Sequence, residues 1–156
     1  MHVSAVILLV AAAVAAPSPL TKAEVIQRGS AICRAAEHRV ETIPQIQSEH
    51  PFAKSAPKGD KTRAIRFLAV YADALESVRV GLAKLDAPAQ GRPLLLGFVA
   101  ELRPTVATFR KAHDDAVAGR YAAAQSEAQH AFGLFDRASV KTKAYGFPKG
   151  VCQSGA

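Results

Sequence analysis

Residues Asp60 to Asp86 read DKTRAIRFLAVYADALESVRVGLAKLD. Ala64, Phe67, Leu68, Tyr71, Ala74, Leu75, Val78, Leu82 and Leu85 follow one another at near-heptad spacing. That spacing puts all nine on one stripe of an α-helix, because 3.6 residues complete a turn. Arg63, Arg66, Asp73 and Glu76 fall on the other side. Asp60 offers an N-cap before the first apolar residue, and Asp86-Ala87-Pro88 ends the pattern. The segment is therefore an amphipathic helix of about seven turns. It needs partners to cover its stripe.

The flanking segments supply those partners. Upstream, Leu20-Thr21-Lys22-Ala23-Glu24-Val25 carries the signature of a helix start. Thr21 and Glu24 form a capping box, and Leu20 with Val25 a hydrophobic staple. Val25, Gly29, Ile32, Ala36, Val40 and Ile43 continue as one stripe until Pro44, which disfavours helix at the residue before it. Pro44, Pro51, Pro57 and Gly59 then mark a long connection.

Downstream, a third helix begins between Pro88 and Pro93. Its stripe is Leu95, Val99, Leu102, Val106, Phe109, His113 and Ala116. Pro104 lies inside it, where a proline removes one backbone hydrogen bond and crowds the carbonyl four residues earlier, so a kink or a break is expected. Gly119 marks the next turn. The fourth helix carries Tyr121, Ala124, Ala128, Phe132, Phe135, Ala138, Thr142 and Tyr145, and Gly146 followed by Pro148 is its C-cap signal. Alternating strand patterns are absent. The expected fold is all-α, an antiparallel four-helix bundle whose third helix is kinked or broken at Pro104. Gly29, Gly81, Gly97 and Gly133 fall within helices, where close helix approach is the plain reason to keep them.

Residues Val3 to Ala16 are apolar apart from Ser4 and end in the A-x-A site Ala13-Val14-Ala15. This pattern reads as a cleaved signal peptide over 1–15. A helix of that length reaches about 21 Å, short of the roughly 30 Å hydrocarbon core, so an uncleaved anchor is the poorer reading. Residues 16–156 then form one domain, secreted or held in the cell envelope, with no transmembrane helix in the mature form.

Export decides how Cys33 and Cys152 are read. No C-x-x-C is present, and exported chains with two cysteines usually join them. In an up-down-up-down bundle the fourth helix ends beside the start of the first. Cys33 lies about 18 Å above Thr21 along the axis. The six residues from Gly146 to Cys152 span about 20 Å when extended. A Cys33–Cys152 disulfide is therefore expected in preference to a redox or metal pair.

The chain carries 20 Lys and Arg against 13 Asp and Glu, a net charge of +7. The charges are spread, with no block of five like residues. That distribution implies weak, salt-sensitive polyanion binding and no specific nucleic-acid recognition.

Catalytic motifs are missing. There is no G-x-S-x-G, H-E-x-x-H or phosphate-binding G-x-x-x-x-G-K-[ST]. Glu127-Ala128-Gln129-His130 has the E-x-x-H spacing of di-iron bundles, which need two such motifs. Only one is present, and no cofactor is expected. His113-Asp114-Asp115 sits near a helix end, where carboxylates are electrostatically disfavoured. Those two aspartates read as ordinary surface. His113, on the apolar stripe, is the one candidate ligand-contact residue, with a hydrogen-bonded core histidine as the commoner alternative.

Ala31-Ile32-Cys33-Arg34-Ala35, and Ala144-Tyr145-Gly146-Phe147 followed by Cys152, resemble a loose group of uncharacterised exported helical proteins. These occur in GC-rich, actinobacterial-type bacteria. The resemblance covers the layout of the mature chain. It implies a helical bundle with a disulfide between its first helix and C-terminal tail, and no activity.

The expected function is a helical-bundle binding or interaction module without catalysis. The alternatives are an electrostatic binder of anionic envelope polymers or lipid headgroups, and a metal- or haem-handling bundle. Convergence of Arg137, Lys141, Lys143 and Lys149 with Lys22 would favour the polymer reading. A partner set around His113 would favour the metal reading.

Overall fold

The computed structural model describes residues 18–153, so the signal-peptide reading over 1–15 lies outside the described residues. Four helices follow in order: α1 (Lys22–Glu41), α2 (Asp60–Ala83), α3 (Arg92–Val117) and α4 (Tyr121–Tyr145). Among the described residues there are no strands. The helices form a four-helix bundle. α1 packs on α2, α2 on α3 and α3 on α4. α1 and α4 do not close against each other as a packed pair. The C-terminal tail enters the fourth side of the bundle and closes only part of it, which leaves the groove described below.

The helix ends follow from local chemistry. Thr21 accepts from the Glu24 amide, and the Glu24 carboxylate accepts from the Thr21 amide at 2.8 Å, completing the capping box. Those hydrogen bonds hold the Glu24 carboxyl below its ordinary range. α4 ends at Gly146, whose φ of 107° is the left-handed conformation that glycine adopts without a Cβ clash. Asp60 differs from expectation. It is the first residue of α2, preceded by Gly59 as the cap. Its buried carboxylate instead accepts from the Gln47 amide at 3.1 Å and from Arg63 at 3.0 Å. It thereby ties the long connection to the helix it precedes. Phe52 of that connection stacks on Tyr121, 5.5 Å between centroids, and Lys61 lies over the same ring.

The core runs along α2 and α3. Leu82, Phe98, Leu102 and Phe109 are fully buried. On α3 the stripe departs from the sequence reading at one place. Ala112, not His113, takes the buried position after Phe109, and His113 is left half-buried. Both lie one helical step from Phe109. The smaller side chain fits the interface, and the polar ring stays at its edge.

Pro104 does not break α3, which continues without interruption from Arg92 to Val117. Pro104 and Ala100 are both exposed, so the carbonyl deprived of its helical partner faces water. The buried neighbour Thr105 turns its hydroxyl back to the Glu101 carbonyl at 2.9 Å. Asp115 is likewise not ordinary surface. It is buried, and one of its oxygens accepts from Arg120 Nε at 2.8 Å and from a terminal nitrogen at 2.6 Å. The carboxylate at the unfavourable helix end thus serves as the clamp of the α3–α4 turn. Asp114 remains exposed.

Candidate functional site

Cys33 lies midway along α1, facing the gap between α1 and α4. The tail after Gly146 enters this gap. Phe147 packs on Gly29, and Cys152 is bonded to Cys33 with the two Cα atoms 5.3 Å apart. That separation is ordinary for a disulfide. The Thr142 hydroxyl, on buried α4 surface, lies 3.0 Å from the Cys152 carbonyl. Cys152 itself has a φ of 54°, a conformation that costs a non-glycine residue about 1–2 kcal/mol. The disulfide and the buried contacts of Phe147 and Val151 hold it there.

The tail fills only the half of the gap nearer the end of α4. Above it remains a groove of about 370 Å³, open to solvent. Its floor is apolar, built from Leu75 and Val78 of α2, Phe98 of α3 and Phe135 of α4. Ala36 and Val40 of α1 form one wall, and the disulfide with Gly150 and Gln153 closes the lower end. The volume falls within the range of small-molecule sites, which are mostly apolar concavities with a few polar groups.

Besides Gln153 at the lower end, the polar side chains lining it are Glu37 and Glu41 on the α1 rim and Tyr71 from α2. Glu37 sits four residues after Cys33, hence on the same helix face. Burial pushes its carboxyl above the ordinary range, partly offset by the nearby Cys152 amide. Burial also pushes the Tyr71 hydroxyl up to about 12, with added repulsion from the negative charges of Asp136 and Glu37. Tyr71 therefore stays protonated at neutral pH and is a hydrogen-bond donor. Among the described residues its hydroxyl makes no hydrogen bond, though the fully buried tyrosine hydroxyl left without a partner is that of Tyr145. Its ring is fixed by Phe109 at 4.8 Å, Phe132 at 5.6 Å and Phe135 at 6.3 Å.

The residues singled out from sequence are distributed differently. Cys33 and Cys152 come together and form part of the groove wall. His113 lies outside the groove, its Nδ1 3.2 Å from the exposed carboxylate of Asp114. Glu127 of the E-x-x-H motif pairs with Lys111 across the α3–α4 interface, and His130 is exposed. Among the described residues no group of three or more His, Cys, Asp or Glu side chains is arranged to hold a metal. Lys141 pairs with Glu101, while Lys22 lies over the Tyr145 ring at 5.8 Å. Glu37 and Tyr71 were not distinguished by sequence reading. The available signal was a carboxylate one helical turn beyond a cysteine, on the face that cysteine must turn inward.

The chain matches no family model, no curated protein and no solved structure. Among the described residues no helix is long and apolar enough to cross a membrane.

Proposed function

We propose that this chain is an exported binding module that takes a small, largely apolar ligand in the groove between α1 and α4. The observation that carries the reading is the groove itself. A bundle of this size would ordinarily close α1 on α4. Here the fourth side is left open over Leu75, Phe98 and Phe135, and the opening is bounded by a cross-linked tail. The Cys33–Cys152 bond supports an oxidising compartment, where such bonds persist. Its role in the site is to fix the lower wall, so the groove is preformed and a ligand does not bear the cost of ordering the tail.

The test is a titration of the oxidised protein with N-phenyl-1-naphthylamine, a neutral apolar fluorophore. The expected result is saturable enhancement at one site per chain. Val40→Trp, which places a bulky ring on the half-buried α1 wall, should abolish or strongly weaken it. No saturable binding, or binding indifferent to Val40→Trp in a folded variant, would remove the reading.

A further inference from the structure

We infer that the groove selects amphiphilic cations, molecules with an amine or quaternary ammonium head and an apolar tail. The head is held at the rim by Glu37 and Tyr71, and the tail lies over the Leu75–Phe98–Phe135 floor. This rests on the groove reading above and assigns it a ligand class.

The charge of the groove opposes that of the whole chain. The protein carries +7 overall. Yet the only carboxyl side chains lining the groove are those of Glu37 and Glu41, and no Lys or Arg lines it. Asp136 adds a further negative charge felt at the Tyr71 hydroxyl. Glu41 is exposed and lies 3.7 Å from His38. Glu37 is different. It is half-buried against apolar walls, and among the described residues no cation stands within ion-pair distance. Arg34, one turn earlier, exerts only a long-range pull, the weakest of the influences on its carboxyl. A partly desolvated carboxylate without a counter-ion is what a cationic head would satisfy.

Tyr71 adds the second element. It lines the groove with Glu37, and its hydroxyl feels the Glu37 charge, while its ring is stacked on Phe67 at 5.2 Å. The partial negative charge on that hydroxyl oxygen favours an ammonium head over an anionic one. An anionic head of the same tail length would meet Glu37 and Glu41 together. Long-range attraction from the net charge would favour that anion, but it acts through solvent and is screened beyond about 8 Å at physiological salt. The groove and the net charge therefore make opposite predictions.

The experiment is displacement of N-phenyl-1-naphthylamine at physiological salt and pH 7.5 by dodecyltrimethylammonium, dodecyl sulfate and dodecyl maltoside, all below their micellar concentrations. The cation should displace the fluorophore at a concentration at least tenfold lower than the sulfate. Glu37→Gln should bring the two within threefold of each other and leave the maltoside unchanged. Glu37→Asp, which keeps the charge, should retain most of the preference and guards against a misfolded Gln variant. Equal displacement by cation and sulfate, or a preference that survives Glu37→Gln, would overturn the ligand class while leaving the groove reading intact. Failure of the fluorophore itself to bind would instead fell the groove reading.

Discussion

The Phe147 ring lies directly on the backbone of Gly29, so that a Cβ built on Gly29 would stand 2.7 Å from two of its ring carbons. This contact sets how deeply the tail enters between α1 and α4, and hence where the groove begins. Leu82 presses on the same point from α2, 3.1 Å from that Cβ.

Gly29→Ala should therefore destabilise the protein. Overpacking of a buried contact costs about 1–3 kcal/mol, against a gain in helix propensity of at most about 1 kcal/mol. Gly133 gives the opposite expectation. A Cβ there meets nothing nearer than an Arg137 nitrogen at 3.8 Å. Gly133→Ala should stabilise by up to about 1 kcal/mol. Urea denaturation of both variants checks the pair, and a stabilised Gly29→Ala would show that Phe147 is not seated as described.

The Cys33–Cys152 bond joins residues 119 apart. For a loop of that size the chain-entropy model gives about 4–5 kcal/mol of stabilisation. Cys33→Ala/Cys152→Ala should lose stability on that order and keep most of its helical circular dichroism, because the α2–α3–α4 core does not depend on the tail. Thiol labelling of unfolded, unreduced wild type should find no free cysteine. Two free thiols per chain would contradict the bond.

Glu37 gives a pH signature. Burial raises its carboxyl in the folded state, so between the unfolded and folded values the folded protein binds more protons. The contribution of such a group is fully present below the unfolded value and is lost as pH rises through the folded one. Glu41 reinforces the raise, while the Cys152 amide and Arg34 oppose it. Glu37→Gln lacks this loss. Its melting temperature should exceed that of wild type at pH 7, and the difference should vanish near pH 4. A variant less stable than wild type at pH 7 would mean that the carboxylate is well satisfied.

His113→Leu should change stability by no more than about 0.5 kcal/mol, as expected of a half-exposed side chain whose one polar contact is to an exposed neighbour. Thermal denaturation checks this. A loss of several kcal/mol would restore His113 to the core position that its spacing first suggested.

Much of the architecture was legible because it is local. The α2 stripe, the Thr21–Glu24 box and the Gly146 cap each follow from residues within a few turns of one another. The disulfide was legible because tail length and helix rise bound the same distance. What lay beyond the sequence was pairwise and distant. His113 and Ala112 are equally compatible with the α3 period, and only the space left by neighbouring helices chooses between them. Asp115 reads as surface until Arg120 folds back across the turn. Pro104 signals a break by its chemistry, yet α3 runs through it, with Pro104 and Ala100 both on the exposed side. The groove was least legible, since it arises from a helix pair that does not pack, and a missing contact leaves no pattern in either helix.

On this reading the gap between α1 and α4 is a ligand site. Amide chemical-shift mapping of the ¹⁵N-labelled, oxidised protein during titration with dodecyltrimethylammonium tests it most directly. The largest shifts should fall on Ala36, Glu37, Val40, Tyr71, Leu75 and Cys152, with the exposed surface around Val117 and Val140 unmoved. Shifts centred on Val117, Val140 or Leu96, or scattered evenly over the surface, would contradict the account.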